Sequence, residues 1–260
     1  MPSETVPSET VPSNTVSAAT PADVDIPQYS AAKVFGIWAA AALPMAALAW
    51  IVAPAIAGPD RALAPVLVAC LTAGLVWQFL LVLILNRFSL RGLWLRRPST
   101  PDGQSGVQRG GRLWLWAVPF TVGFAALQLI PFHLPSVASH DFGTLLDSAD
   151  GRSLLSGNWG LYALLLVMMV FNTVLGEELL FRGLLLPRMR ATFGRGDWVA
   201  NAVLFGAYHL HQPWHIPNSI ASGLFMAYPT RRWRSAWLGI IIHSSQSVVL
   251  AALTLVLILK

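Results

Sequence analysis

After Lys33 the chain alternates long apolar runs with short polar segments, and most runs approach the length that crosses a bilayer. A hydrocarbon core about 30 Å thick needs about 20 residues of helix. Val34 to Ala57, Ala62 to Leu85, Leu113 to Leu134, Trp159 to about Leu186 and Trp237 to Leu259 meet that ruler. Trp198 to Leu210 and Asn218 to Tyr228 are shorter. These two read better as helices sheltered inside a bundle, or as a helical hairpin, than as lipid-facing spans. Pro44 and Pro54 interrupt the first run, which a membrane helix tolerates when neighbours satisfy the freed backbone groups. The pattern predicts an all-α, polytopic transmembrane bundle of about six to eight membrane helices. Residues 31–260 form the integral membrane domain in this reading, preceded by a disordered polar tail over 1–30. That tail repeats Val-Pro-Ser-Glu-Thr as Val-Pro-Ser-Asn-Thr and cannot bury enough apolar surface to order itself. It lacks the basic start and apolar core of a secretory signal.

Composition sharpens this picture. Of the residues, 55% are hydrophobic and 11% charged, against about 25% charged in an average soluble domain. The net charge of +5 comes from arginines clustered between runs rather than along one face, which disfavours a nucleic-acid partner and makes the lipid bilayer the expected one. Arg87, Arg91, Arg96, Arg97, Arg109 and Arg112 share one loop; Arg188, Arg190 and Arg195 share a second, and Arg231, Arg232 and Arg234 a third. Pro135 to Asn158 instead carries Asp141, Asp147 and Asp150 against Arg152. By the positive-inside rule the arginine loops and the amino terminus are cytoplasmic, as in a multi-pass protein of a bacterial-type plasma membrane, and Lys260 is outside. The single Cys70, inside an apolar run, leaves no disulfide framework and no cysteine-based zinc site.

Candidate chemistry follows from asking which ionisable groups lie inside the runs, since a charge at mid-bilayer costs at least ~3 kcal/mol. Ten of the twelve carboxylates fall in the tail or loops, leaving the adjacent Glu177 and Glu178, with Arg182 following. His209 and His243 fall in separate apolar helices; His133 and His140 lie near or in the acidic loop, and His211 and His215 follow His209 in a turn. At 1.5 Å per residue, Glu177, His209 and His243 lie roughly 15, 16 and 10 Å from their arginine-flanked helix ends, so they can meet at one level. Glu178 precedes Arg182 by four residues, the favoured order for an ion pair, and a structural role is its natural reading. Glu177 is displaced about 100° around the helix with no basic group three or four residues on, and can act as a general base. His209 follows Phe205 by four residues and His243 precedes Ser247 by four, so each pair shares a helix face.

These residues match a known pattern: Glu177-Glu178-Leu-Leu-Phe-Arg182, then Phe205-Gly-Ala-Tyr-His209, then His243-Ser-Ser-Gln-Ser247. The chain over about 159–260 resembles the CAAX prenyl protease and bacteriocin-processing family (CPBP, abortive-infection or type II CAAX endopeptidase family) of intramembrane proteases. In that family the third motif usually ends in Asn or Asp, where this chain has Ser247. The resemblance implies a hydrolase in which Glu177 and His209 activate a water for attack on a peptide carbonyl. His243 and its neighbour Ser247 would stabilise the oxyanion, with Glu178, Arg182 and Phe205 in support. It implies a peptide or membrane-protein substrate, prenylated or not. Glu177, His209 and His243 also make a reasonable three-ligand set for one divalent metal such as zinc, and a metal-free mechanism uses the same groups as base and donors. Metalloprotease and glutamate-type endopeptidase both stand at this point. The substrate segment is expected from the cytoplasmic side. Two other classes fit the same residues: a catalytically weak member acting as a membrane scaffold or immunity protein, and a proton-linked transporter. The transporter lacks the internal repeat of the common secondary type.

Overall fold

A computed structural model describes residues 26–59, 62–99, 111–130 and 134–260. Its described residues form helices, turns and connecting segments, with no strand among them. Four helices are long and apolar enough to cross a membrane: Ala31–Ala57, Leu63–Leu85, Trp159–Arg188 and Ala236–Ile258. The expected six to eight membrane helices are therefore not reproduced as full-length spans. The run at Leu113 to Leu134 is instead a 3-10 turn, Arg112–Trp116, continued by the 12-residue helix Ala117–Gln128. Ile130 precedes Pro131, and the residue before a proline is disfavoured in the helical region, so this helix stops short of bilayer length.

The two short runs become the helices Asp197–Ala207 and Ile216–Trp233, which return on each other as the expected hairpin. Glycine permits their close approach. A Cβ on Gly206 would overlap Ile220, and one on Gly223 would come within 3.1 Å of Ala202. Small residues let helix backbones meet where lipid gives no hydrophobic drive to associate. Tryptophan fastens the first span to this hairpin. The indole of Trp38 donates to the Leu204 carbonyl at 2.8 Å and that of Trp50 to the Leu210 carbonyl at 2.9 Å. Trp77 donates to Ala40 between the first two spans at 2.8 Å. These indoles are interhelix donors, beyond the interfacial belts that tryptophan content alone suggests.

The arginine-rich segments gather at one end of the bundle. Arg188 donates to the carbonyl of Gly92 and to the side-chain oxygen of Asn86, Arg96 donates to the Arg234 carbonyl, and Ala236 N donates to Trp94. The acidic segment lies at the other end, where Gly157 N donates to the Ile258 carbonyl and His140 stacks on Trp50 at 4.2 Å. The tail expected over 1–30 lies outside the described residues as far as residue 25. Residues 26–30 have no regular secondary structure and lie at the arginine end, where Tyr29 N donates to the Arg188 carbonyl at 2.9 Å.

Because a side chain at Gly206 must displace the Ile220 backbone, Gly206→Leu should destabilise the protein by about 1–3 kcal/mol, the usual cost of overpacking. Thermal unfolding in detergent checks this; an unchanged midpoint would contradict the close hairpin.

Candidate active site

The Trp159–Arg188 helix is irregular where its carboxylates sit. It is α-helical to Val170, widens into a π-turn over Phe171–Gly176, and widens again over Leu179–Leu185. Single π-turns frequently mark functional positions, because the wider turn re-aims the side chains beside it. Glu177 N donates to the carbonyl of Asn172, five residues back. Gly176 fits the turn because a Cβ there would stand 2.7 Å from the Phe171 carbonyl oxygen and 3.2 Å from that of Leu75 on the neighbouring span.

The two adjacent carboxylates are used differently. Glu178 is fully buried, with Oε1 3.2 Å from Arg182 Nη1, an ionic contact without the alignment of a hydrogen bond. The same oxygen accepts a 3.1 Å hydrogen bond from His243 Nδ1. Glu178 is thus both the structural partner expected of it and the group that orients His243. Arg182 is also fully buried; its guanidinium lies 4.1 Å from the Phe205 ring centroid and donates to the Gly223 carbonyl at 3.5 Å. The last span comes near through Gly239, where a Cβ would lie 2.5 Å from Glu178 Oε2. Gly239 precedes His243 by one helical turn, so this close approach also brings His243 to Glu178.

Glu177 has no partner of this kind. It is 2% exposed and its Oε2 has no hydrogen-bond partner among the described residues. It lines a cavity of about 350 Å³ together with His209 and His243. His209 Nδ1 donates to the Phe205 carbonyl at 2.9 Å, so its lone pair is on Nε2. The Phe205 ring lies 5.1 Å from the His209 ring and 5.9 Å from that of His243. One phenylalanine therefore supplies the acceptor for one histidine, packing for both, and a face for Arg182. Ser247 lines the same cavity, as does Gln246 beside it. His211, stacked on His209 at 5.4 Å, and His215 line it as well. His140 is held instead by the Ala49 carbonyl and Trp50, and His133 lies outside the described residues.

Several polar groups near the site escape a search confined to ionisable residues. Gln78, fully buried on the second span, donates to the Tyr208 hydroxyl at 2.5 Å, and Tyr208 lines the cavity. Gln128 accepts from Asn218 at 2.8 Å and donates to Ser222 at 3.4 Å, forming an amide-rich wall. Counting uncharged amides inside apolar runs finds both glutamines. Asp197, a loop residue by its place between apolar runs, is fully buried as the first residue of its helix, with Oδ2 2.6 Å from Arg231 Nε.

Residues 158–249 match the Rce1-like family model, type II CAAX prenyl endopeptidase Rce1-like. All three motifs lie within that segment, which supports the resemblance drawn from them; residues 1–157 lie outside the match. No curated protein and no solved structure matches the chain. The donor types of Glu177, His209 and His243 suit zinc. Among the described residues, however, no three His, Cys, Asp or Glu side chains are gathered closely enough to hold a metal ion. The three-ligand set is thus not gathered among the described residues.

The carboxylates should differ in stability. Glu178→Gln leaves the buried Arg182 charge uncompensated and should cost about 3–5 kcal/mol. Glu177→Gln replaces a buried carboxyl group whose Oε2 has no hydrogen-bond partner among the described residues with an amide of the same shape, and should change stability far less. Unfolding midpoints of the two variants measure this; equal losses would contradict the division of roles.

Proposed function

We propose that the chain is a membrane endopeptidase of the CAAX-protease-like kind, in which Glu177 is the general base. The observation that carries this reading is one cavity lined by Glu177, His209 and His243, with both imidazoles committed through Nδ1. A water between Glu177 and His209 gives a proton to the carboxylate, and its oxygen attacks the carbonyl carbon of the scissile bond. His209 Nε2 accepts the water's other hydrogen bond and fixes its direction. The tetrahedral oxygen takes the negative charge. His243, when protonated, donates to it from Nε2 while Nδ1–H stays on Glu178, and the Ser247 hydroxyl adds a second donor. The tetrahedral intermediate then collapses: its carbon–nitrogen bond breaks, the leaving nitrogen takes the proton from Glu177, and a carboxyl group and a free amine result. The pairing of imidazole Nδ1 with a carboxylate or carbonyl is the general device for fixing a working histidine's tautomer.

Cleavage of membrane-protein peptides by the purified full chain in detergent tests this. Glu177→Ala should lower turnover by about 100-fold to 10,000-fold, the usual share of general base catalysis; undiminished cleavage would overturn the assignment. In the same assay Ser247→Asn should raise turnover, because an amide supplies a longer and better directed donor than a hydroxyl; no change would remove Ser247 from the site. Metal analysis with activity after chelation separates the two chemical types: undiminished turnover in a metal-free preparation fits the mechanism above, and loss restored by zinc would replace it. A folded protein with no cleavage of any peptide would favour the scaffold reading, to which the serine at the third motif points.

A further inference from the structure

A second cavity, separate from the one that Glu177 lines, lies at the arginine end. It measures about 240 Å³, and its lining includes Arg96, Arg190, Arg231, Arg234, Asp197 and the ring of Trp94. Three stretches of chain meet there: the loop after the second span, the turn before the first arm of the hairpin, and the end of the second arm. Arg96 is fixed by its Nε donating to the Arg234 carbonyl at 3.2 Å. The chemistry of the cavity rests on Arg190 and Arg231.

These two share one carboxylate. Asp197 Oδ2 accepts from Arg231 Nε at 2.6 Å and stands 3.8 Å from Arg190 Nη1, while Oδ1 accepts from the Trp198 N–H at 2.9 Å. Asp197 is therefore committed to the protein through both oxygens, and the pair of guanidiniums keeps one positive charge uncompensated by it. The same contacts decide which donors remain. Because Arg231 is engaged through Nε, its end-on pair, Nη1 and Nη2, has no hydrogen-bond partner among the described residues. Trp94 steadies that group, with its ring centroid 5.9 Å from the guanidinium carbon. Arg190 is half exposed and spends Nη1 on the Gly194 carbonyl at 3.2 Å, which leaves its Nε and Nη2.

Paired N–H donors carrying a surplus positive charge suit two oxygens of one phosphate group. We propose that this cavity binds a phosphate oxyanion, and that its source is the phosphodiester headgroup of an anionic phospholipid rather than free phosphate. A basic pocket between membrane helices, at the end where their loops gather, is a general form of headgroup site. Its surroundings favour the lipid. The ring of Trp94 suits the interfacial level, and Val199 and Val203, exposed and one turn apart on the helix that Asp197 begins, offer an apolar path to acyl chains. A headgroup held there bridges the start of one hairpin arm to the end of the other, and so braces the hairpin leading to His209.

The test is native mass spectrometry of the delipidated full chain in an uncharged detergent, titrated separately with phosphatidylglycerol, phosphatidylcholine and inorganic phosphate. The first phosphatidylglycerol should bind about 10-fold or more tighter than phosphatidylcholine, whose choline cation offsets its phosphate. Arg190→Gln and Arg231→Gln should each weaken that first adduct about 10-fold, the usual worth of a hydrogen bond to a charged group. Arg91→Gln, which removes an exposed arginine at the same end but outside the cavity, should leave it unchanged. Should Arg231→Gln not fold for want of the Asp197 contact, the half-exposed Arg190 carries the comparison. Equal binding of the two lipids, or equal weakening by Arg91→Gln, would overturn the site. Arginine-dependent binding of inorganic phosphate that phosphatidylglycerol does not displace would keep the oxyanion site and overturn the lipid as its source. The readout needs no catalysis, so it stands or falls apart from the protease reading.

Discussion

A guanidinium with no exposure to solvent organises the carboxyl-terminal half of this protein. Arg182 needs a carboxylate, and Glu178 one helical turn earlier supplies it. Two buried ions are tolerated only where geometry and further contacts offset their desolvation. Those contacts recruit the remaining elements. Phe205 from one arm of the hairpin covers the guanidinium, Gly223 from the other accepts from it, and the last span approaches through Gly239 and places His243 on the same carboxylate. Four helical segments converge on one ion pair, and its position fixes the level at which chemistry can occur.

The catalytic proposal inherits its geometry from that arrangement. Glu178 is consumed by structure, and adjacency puts Glu177 on another part of the helix surface, facing a cavity and with its Oε2 unpartnered among the described residues. The helix accommodates both through π-turns on either side of the pair. A regular α-helix would hold neither the Gly176 contact to Leu75 nor the Glu177 N–H bond to Asn172 in their observed form. Phe205 couples the two histidines, so the motif spacing of four residues places a carbonyl acceptor directly behind His209.

Much of the site was legible because charge is scarce in apolar runs. That scarcity singled out Glu177, Glu178, His209 and His243, and helix rise alone put them at one level. What sequence could not supply was the second role of Glu178, since the hydrogen bond to His243 spans 65 positions and leaves no periodic trace. The π-turns were equally invisible, because a widened turn uses the same residues as a regular one. Gln78 and Gln128 were missed for a different reason: an uncharged amide costs less to bury than a charge and so does not stand out in a hydropathy profile. The third apolar run is helical over Arg112–Gln128 among the described residues, shorter than the apolar stretch itself, and a proline after Ile130 in the sequence disfavours helix there, a local effect that average hydropathy does not register.

The claim on which everything else rests is that both histidines are held through Nδ1, leaving Nε2 to the cavity. Nitrogen NMR of protein labelled with imidazole nitrogen-15 measures this directly, with His209→Gln and His243→Gln assigning the signals. The account predicts a proton on Nδ1 of both rings, with the His243 Nδ1 signal shifting in Glu178→Gln and the His209 signal unmoved. A proton on Nε2 in neutral His209, or a His243 signal indifferent to Glu178, would contradict it.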